Sequence, residues 1–163
     1  MKRVEACGSS IEGKGIFTLE EIHPDEHILD MDDSHIVEDI NKLSEEDKDH
    51  LDYLADRVVL MQAPEVYINH SCEPSTYTKT VDGKRKLFAM KKINAGDEIT
   101  YDYAINGDYD WGVMCHCGTK SCRGMLDNNF WHLPLEKQKG YLPYLDYWFR
   151  DKYVDKIKLL ENT

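Results

Sequence analysis

The densest chemistry in this chain lies in eight consecutive residues, Cys115-His116-Cys117-Gly118-Thr119-Lys120-Ser121-Cys122. Their C-x-C-x₄-C spacing puts three thiols on one tight loop, where Gly118 lets the backbone fold back. A tetrahedral zinc closed by sulfur needs a fourth thiolate, with each Zn–S distance about 2.3 Å. Cys72 is the obvious fourth ligand. His116, wedged between two ligands, would have to point away. Such a site contributes on the order of 10–16 kcal/mol of binding free energy to folding. Cys7 stands alone on an apolar stretch and reads as a small core residue. Three shorter groupings could also do chemistry: Gly13-Lys14-Gly15, Asn69-His70-Ser71-Cys72 and Tyr101-Asp102-Tyr103. Each is weak alone. A G-x-G is commonly a turn, Asn and His often bond a nearby backbone, and tyrosines at i and i+2 usually pack one sheet face.

Short strands position most of these groups. Val4 to Cys7, Gly15 to Leu19 and His27 to Met31 read as strands. Ser44 before Glu45-Glu46-Asp47 is a helix start, with a hydroxyl cap and acids at the positive dipole end. Leu51, Leu54 and Val58 recur at helical spacing, so the pattern predicts a helix over 45–57. Val66-Tyr67-Ile68 reads as a strand leading into Asn69. Tyr77 to Val81 and Lys84 to Met90 flank Asp82-Gly83, a strong hairpin signal because both positions of a type I′ turn need positive φ. Glu98 to Tyr103 follows as a strand. From Leu133 the apolar spacing turns helical through Tyr141, Leu145, Phe149, Tyr153, Ile157 and Leu160. That tail suits cover for its own core better than a homodimer contact.

Composition narrows the function classes. The chain has 163 residues, 41% of them hydrophobic, which suffices for one domain with a real core. Lys and Arg number 20 against 31 Asp and Glu, a net charge of −11. That argues against direct nucleic-acid binding, including the zinc-knuckle type. The segment from Leu19 to Arg57 carries 15 acidic residues and 3 basic ones, so the whole acidic excess sits there. It is either a solvated face or a docking surface for a basic partner. No apolar run approaches the roughly 18 residues of a membrane span. Met1-Lys2-Arg3 is basic, but Glu5, Gly8 and Glu12 interrupt any signal-peptide core. An intracellular location, cytoplasmic or nuclear, is expected, and an odd cysteine count there makes a disulfide framework unsuitable.

In their order along the chain, the groupings resemble the SET-domain protein-lysine methyltransferases with a post-SET zinc loop. The resemblance runs through Gly13-Lys14-Gly15-Ile16-Phe17, then Ile68-Asn69-His70-Ser71-Cys72-Glu73-Pro74. It continues from Lys92 to Tyr103 and through Cys115-His116-Cys117-Gly118 to Ser121-Cys122-Arg123-Gly124. It implies a mostly β fold: a β-clip of short antiparallel sheets with a pseudoknot, one inserted helix, a zinc-binding post-SET loop and a helical C-terminal tail. The implied divisions are a SET domain over 1–112 with an acidic insert at about 32–60, a zinc loop over 113–126, and a helical extension over 127–163. With only Cys7 upstream, the chain is similar to compact stand-alone members of the family.

The resemblance also implies S-adenosylmethionine as methyl donor and a lysine in a basic protein, such as a histone, histone-like or ribosomal protein, as acceptor. Carried over residue by residue, Gly13, Lys14, Gly15 and Ile16 would approach the methionine part of the donor. Asn69 and His70 would bond its amine and adenine, and Cys117 would wall off the adenine. Tyr103 matches the catalytic tyrosine and Tyr101 the position that governs how many methyl groups are added, with mono- or dimethylation expected. Cys72, Cys115, Cys117 and Cys122 match the zinc ligands. These residue types suit the reaction. Only roughly one lysine in 2,500 is neutral at pH 7, so a water-poor aromatic channel that disfavours the ammonium helps supply the nucleophile. The chain departs from the family pattern at Val66-Tyr67, where Arg-Phe is common, at Ser75 in place of Asn, and at Lys14 in place of a bulky aromatic. A silent module acting as a peptide-binding adaptor would not need the full set of groups, which is intact here.

Overall fold

A computed structural model describes residues 1–162. Strand β1 (Val4–Gly8) pairs antiparallel with β2 (Lys14–Thr18), and β3 is His27–Asp30. The short helix α1 (Glu45–Lys48) precedes a hairpin of β4 (Leu51–Tyr53) and β5 (Val58–Leu60). Then come β6 (Asn69–His70), β7 (Thr76–Val81), β8 (Lys84–Ala89) and β9 (Glu98–Tyr101). Strands β10 (Asp108–Met114) and β11 (Met125–Asn129) form a separate antiparallel pair around the cysteine loop. Helices α2 (Leu135–Tyr141), α3 (Tyr147–Lys152) and α4 (Val154–Glu161) close the chain. The main sheet runs β1-β2-β9-β7-β8-β3, with β6 added parallel to β9. Strand outweighs helix in curled sheets, as the fold class implied.

Two apolar clusters hold this frame. Ile16, Ile22, Ile28, Leu87, Ile93 and Ile99 fill one side of the main sheet. The second cluster joins Phe130, Leu133, Tyr141, Leu145, Phe149, Ile157 and Leu160 of the tail to Ala104 and Ile105, directly after the tyrosine pair. The tail therefore packs on its own domain. Asp82 and Gly83 take φ values of 52° and 74°, as the hairpin signal required.

Three expected elements differ. The helix predicted over 45–57 ends after one turn, and Leu51, Leu54 and Val58 belong to the β4–β5 hairpin and its turn. The reason is long-range: Asp52 on β4 pairs with the buried Arg85, and Val59 on β5 is fully buried. Val66-Tyr67-Ile68 does not form a strand. Glu65–Tyr67 is a 3-10 turn, tied down by the buried Glu65 carboxylate, which accepts the Asp32 N–H at 2.8 Å. The strand expected through Tyr103 stops at Tyr101, because Asp102 turns inward and accepts the Ala104 N–H.

Candidate active site

The four Sγ atoms of Cys72, Cys115, Cys117 and Cys122 lie within 4.8 Å of one another. Cys72 and Cys115 sulfurs are 3.8 Å apart, close to the edge of about 3.8 Å that a tetrahedron of 2.3 Å Zn–S bonds requires. Donors surround the sulfurs. The Arg123 N–H points to Cys72 Sγ and the Gly124 N–H to Cys122 Sγ, each at 3.4 Å. Burial pushes the Cys72 thiol up, while the Arg123 N–H works against it. Burial also opposes a Cys117 thiolate, but the Cys72 amide and the Thr119 hydroxyl outweigh it and pull that thiol down. Thiols this close, with N–H groups aimed at sulfur, form a donor set that fits zinc. Cys7 is not the core residue expected: it is exposed and apart from the cluster, because β1 is an edge strand whose residues from Glu5 onward are exposed.

His70 joins this cluster to the tyrosines. Its Nδ1 accepts the Tyr103 N–H at 3.2 Å, so the proton resides on Nε2, 3.4 Å from Cys72 Sγ. Burial holds the ring neutral, pushing its pKa down to about 4. The imidazole is thus committed, and only the His70 backbone is left to meet a ligand.

Tyr101 ends β9 and Tyr103 follows in the turn after it, with ring centroids 6.4 Å apart. Tyr103 donates its phenol proton to Ile68 O at 2.9 Å, and Tyr101 donates to Ile105 O at 2.6 Å. Burial raises both pKa values, so both hydroxyls stay neutral. With the protons committed to carbonyls, the lone pairs are what these oxygens have left to offer. Both tyrosines line a cleft of about 510 Å³. Its walls include Asp49, Asp52 and Tyr53 from the acidic insert and Asp108, Tyr109 and Trp111 from β10. Tyr53 and Tyr109 rings meet at 4.3 Å.

The glycine turn lies beside the same centre. Asn69 Nδ2 donates to Glu12 O, Lys14 O and Glu98 Oε1 at 3.2, 2.9 and 2.8 Å. Three acceptors on the nitrogen fix the amide, so Oδ1 faces the opposite way and has no donor among the described residues. Gly13 has φ +42°, while a Cβ on Gly15 would stand 2.2 Å from Glu98 Oε1. Gly15 therefore makes room for a carboxylate of its own chain. Ile16 is fully buried in the core, so its side chain cannot touch a ligand. Lys14 Nζ sits 5.1 Å over the Tyr67 ring. An open hollow of about 320 Å³ joins Ile11, Glu98 and Cys117, and His116 Nδ1 lies 3.8 Å from Glu12 Oε2, which brings the cysteine loop next to the glycine turn. Sequence reading missed Glu98, Glu73 and Arg123. Glu73 accepts the Ser121 N–H and hydroxyl at 3.0 and 2.6 Å, clamping the loop. Each is an acid or base inside a recognised stretch, but its partner lies dozens of residues away.

A curled β frame with a four-thiol cluster against two half-buried tyrosines defines a class. The family model "SET domain" matches residues 13–104, and the chain belongs to the SET domain family. It is 30% identical over 141 residues to human histone-lysine N-methyltransferase SETD1B, an alignment covering 77% of this chain and 7% of that protein. The chain thus spans only a small part of that relative's length. The methyltransferase domain of human histone-lysine N-methyltransferase SETMAR superposes with a TM-score of 0.60 at 21% identity, covering 79% of this chain and 59% of that one. KRYPTONITE in complex with mCHG DNA and SAH gives a TM-score of 0.57 at 21% identity, with 77% and 29% covered. These two likenesses concern the fold. No helix among the described residues is long and apolar enough to cross a membrane.

Proposed function

We propose that this chain is a zinc-containing, S-adenosylmethionine-dependent protein-lysine N-methyltransferase acting on a basic protein of histone type. The single observation that carries this reading is the pair of half-buried, neutral tyrosines whose phenol protons are held by Ile68 and Ile105 carbonyls. Such oxygens can only accept. They suit an amine whose N–H bonds must be held so that its lone pair faces a methyl group.

When bound, the donor supplies a methyl on a sulfonium, which leaves as a neutral sulfide and needs no acid. The chain's own residues do the rest. Asn69 Oδ1 would accept from the donor's ammonium, and the turn at Gly13, Lys14 and Gly15 with the backbone of Ile16 and His70 would line its site. Cys72, Cys115, Cys117 and Cys122 would hold zinc, which would fix the loop that carries Cys117. Tyr103 orients the amine and Tyr101 limits the space around it. Burial of the tyrosine end disfavours an ammonium there, so the neutral nucleophile is easier to reach. Positioning supplies most of the rate. The aspartates of the cleft wall favour a cationic approach.

Transfer of labelled methyl from S-adenosylmethionine to a panel of histones and ribosomal proteins tests this, with Tyr103→Phe as control. Label on lysine that disappears in the variant is the expected result. Cofactor binding without label on any basic protein would count against the substrate class, and no binding at all would favour the silent adaptor.

A further inference from the structure

Between Tyr101 and Tyr103, which face the cleft, Asp102 turns the other way and is fully buried. Its carboxylate is held from three parts of the chain. Arg123 of the cysteine loop grips it with both Nη atoms, at 2.7 and 2.8 Å. Tyr141, on α2, donates its phenol proton to Oδ2 at 3.0 Å. The Ala104 N–H donates to Oδ1 at 3.2 Å. The same elements reach Cys72: Arg123 follows Cys122 in the chain and aims its backbone N–H at Cys72 Sγ. Lys137, one helical turn before Tyr141, donates to Cys72 O at 2.7 Å and to the Tyr141 oxygen at 3.3 Å. One carboxylate therefore ties the tyrosine turn, the thiol loop and the C-terminal helical segment together.

A buried ion pair is a poor source of net stability, since desolvation offsets most of its attraction. What a two-pronged Arg–carboxylate contact provides is fixed geometry. Here the fixed part is the backbone from Tyr101 to Tyr103 relative to the loop that closes on the donor. We infer that Asp102 is a positioning residue for methyl transfer, and that Arg123 and Tyr141 are the handles by which the thiol loop and the C-terminal helices set its place. Tyr141 lies beyond the residues matched to the family, so the helical segment is part of the site's support rather than an appendage. The inference rests on the proposed methyltransferase reading.

The test uses the full chain with zinc bound and two mild variants. Arg123→Lys keeps the charge and loses the fork; Tyr141→Phe loses only a hydroxyl. Four quantities are read: melting temperature, zinc release to a chromogenic chelator well below melting, the calorimetric dissociation constant for S-adenosylmethionine, and KM for each substrate. For Arg123→Lys, zinc release should speed up about tenfold and donor affinity fall about tenfold, the scale of one charge-assisted contact. KM for the donor should rise in parallel while KM for the acceptor protein stays within about twofold. For Tyr141→Phe both shifts should be about threefold. In the double variant they should combine less than multiplicatively, because both act through one carboxylate. A lower melting temperature with zinc release and donor affinity unchanged would make the cluster merely structural and overturn the inference. If Arg123→Lys does not fold, Tyr141→Phe decides alone. If wild type binds zinc and donor but transfers no methyl, the functional reading fails, while zinc release and calorimetry still report whether Asp102 couples loop and tail.

Discussion

Asn69 Nδ2 donates to Glu98 Oε1 at 2.8 Å, and that same oxygen stands 2.2 Å from where a Cβ on Gly15 would be. Two recognised motifs, the glycine turn and the Asn-His-Ser-Cys segment, are thus joined through a carboxylate that neither contains. The Ser9 hydroxyl, 2.9 Å from each carboxylate oxygen, locks it in place. Glu98 fixes the Asn69 amide, and Gly15 exists so that Glu98 can do so.

Gly15→Ala should therefore expel the Glu98 carboxylate, breaking its bonds to Ser9 and Asn69. The expected cost is about 1–3 kcal/mol of stability, the range of overpacked sites, with loss of donor affinity of about tenfold or more as Asn69 is freed. Adding Glu98→Ala should restore the room and the melting temperature but not the affinity. Calorimetry with S-adenosylmethionine checks both. Wild-type affinity in Gly15→Ala would show that Asn69 does not need this anchor.

The thiol cluster gives a metal prediction with its own control. Elemental analysis should find about one zinc per chain, the stoichiometry of a single four-thiolate site. Cys117→Ser should lose most of it and melt at lower temperature, while Cys7→Ser, altering an exposed residue apart from the cluster, should retain it. Stripping zinc with a chelator should weaken donor binding, because Cys117 faces the hollow shared with Ile11 and Glu98. Equal zinc content in all three proteins would remove the metal from the site.

Arg85 is nearly buried on β8 and grips Asp33 at 2.6 Å and also Asp52, which pins the acidic insert to the main sheet. Replacing both aspartates with asparagine should leave a buried guanidinium without its counter-charges, costing about 3–5 kcal/mol. Asp52 and Tyr53 line the cleft, so KM for a basic acceptor should rise more than KM for the donor. Chemical denaturation and steady-state kinetics read the two effects. An unchanged acceptor KM would show that the insert does not form part of the acceptor's path.

How much of this was legible follows from the range of each interaction. The Asp82-Gly83 hairpin and the thiol spacing are local signals, and both appear where expected. The insert misled because Leu51, Leu54 and Val58 sit at helical intervals while belonging to two strands and their turn. Arg85, 33 residues from Asp52, settles that choice, and no window around residue 52 contains it. The β10–β11 pair was missed for a related reason: ten residues of cysteine loop separate its strands, and most of β10 is exposed, so no alternation marks it. Tyr101 and Tyr103 were readable as a pair. That Asp102 between them holds the loop was not, since Arg123 and Tyr141 carry no local sign of sharing one carboxylate.

On the proposed function, the number of methyl groups transferred should turn on Tyr101. Its hydroxyl donates to Ile105 O at 2.6 Å and lies 3.5 Å from Thr78 Oγ1, which fixes the oxygen within the tyrosine end of the cleft. A fixed oxygen takes up space that a further methyl would need, and it can hold the partly methylated amine turned away from the donor. The wild-type chain should therefore give mainly mono- and dimethyl-lysine. Tyr101→Phe removes the oxygen and should move the product toward trimethyl-lysine on mass spectrometry. The variant also leaves Ile105 O, on a buried residue, without its donor, at a cost of about 1–3 kcal/mol. Destabilisation alone would lower all product states in proportion, so the ratio of products, and not the total, reads the effect. Mostly trimethyl product from wild type, or an unchanged ratio in Tyr101→Phe, would show that this hydroxyl does not limit the reaction.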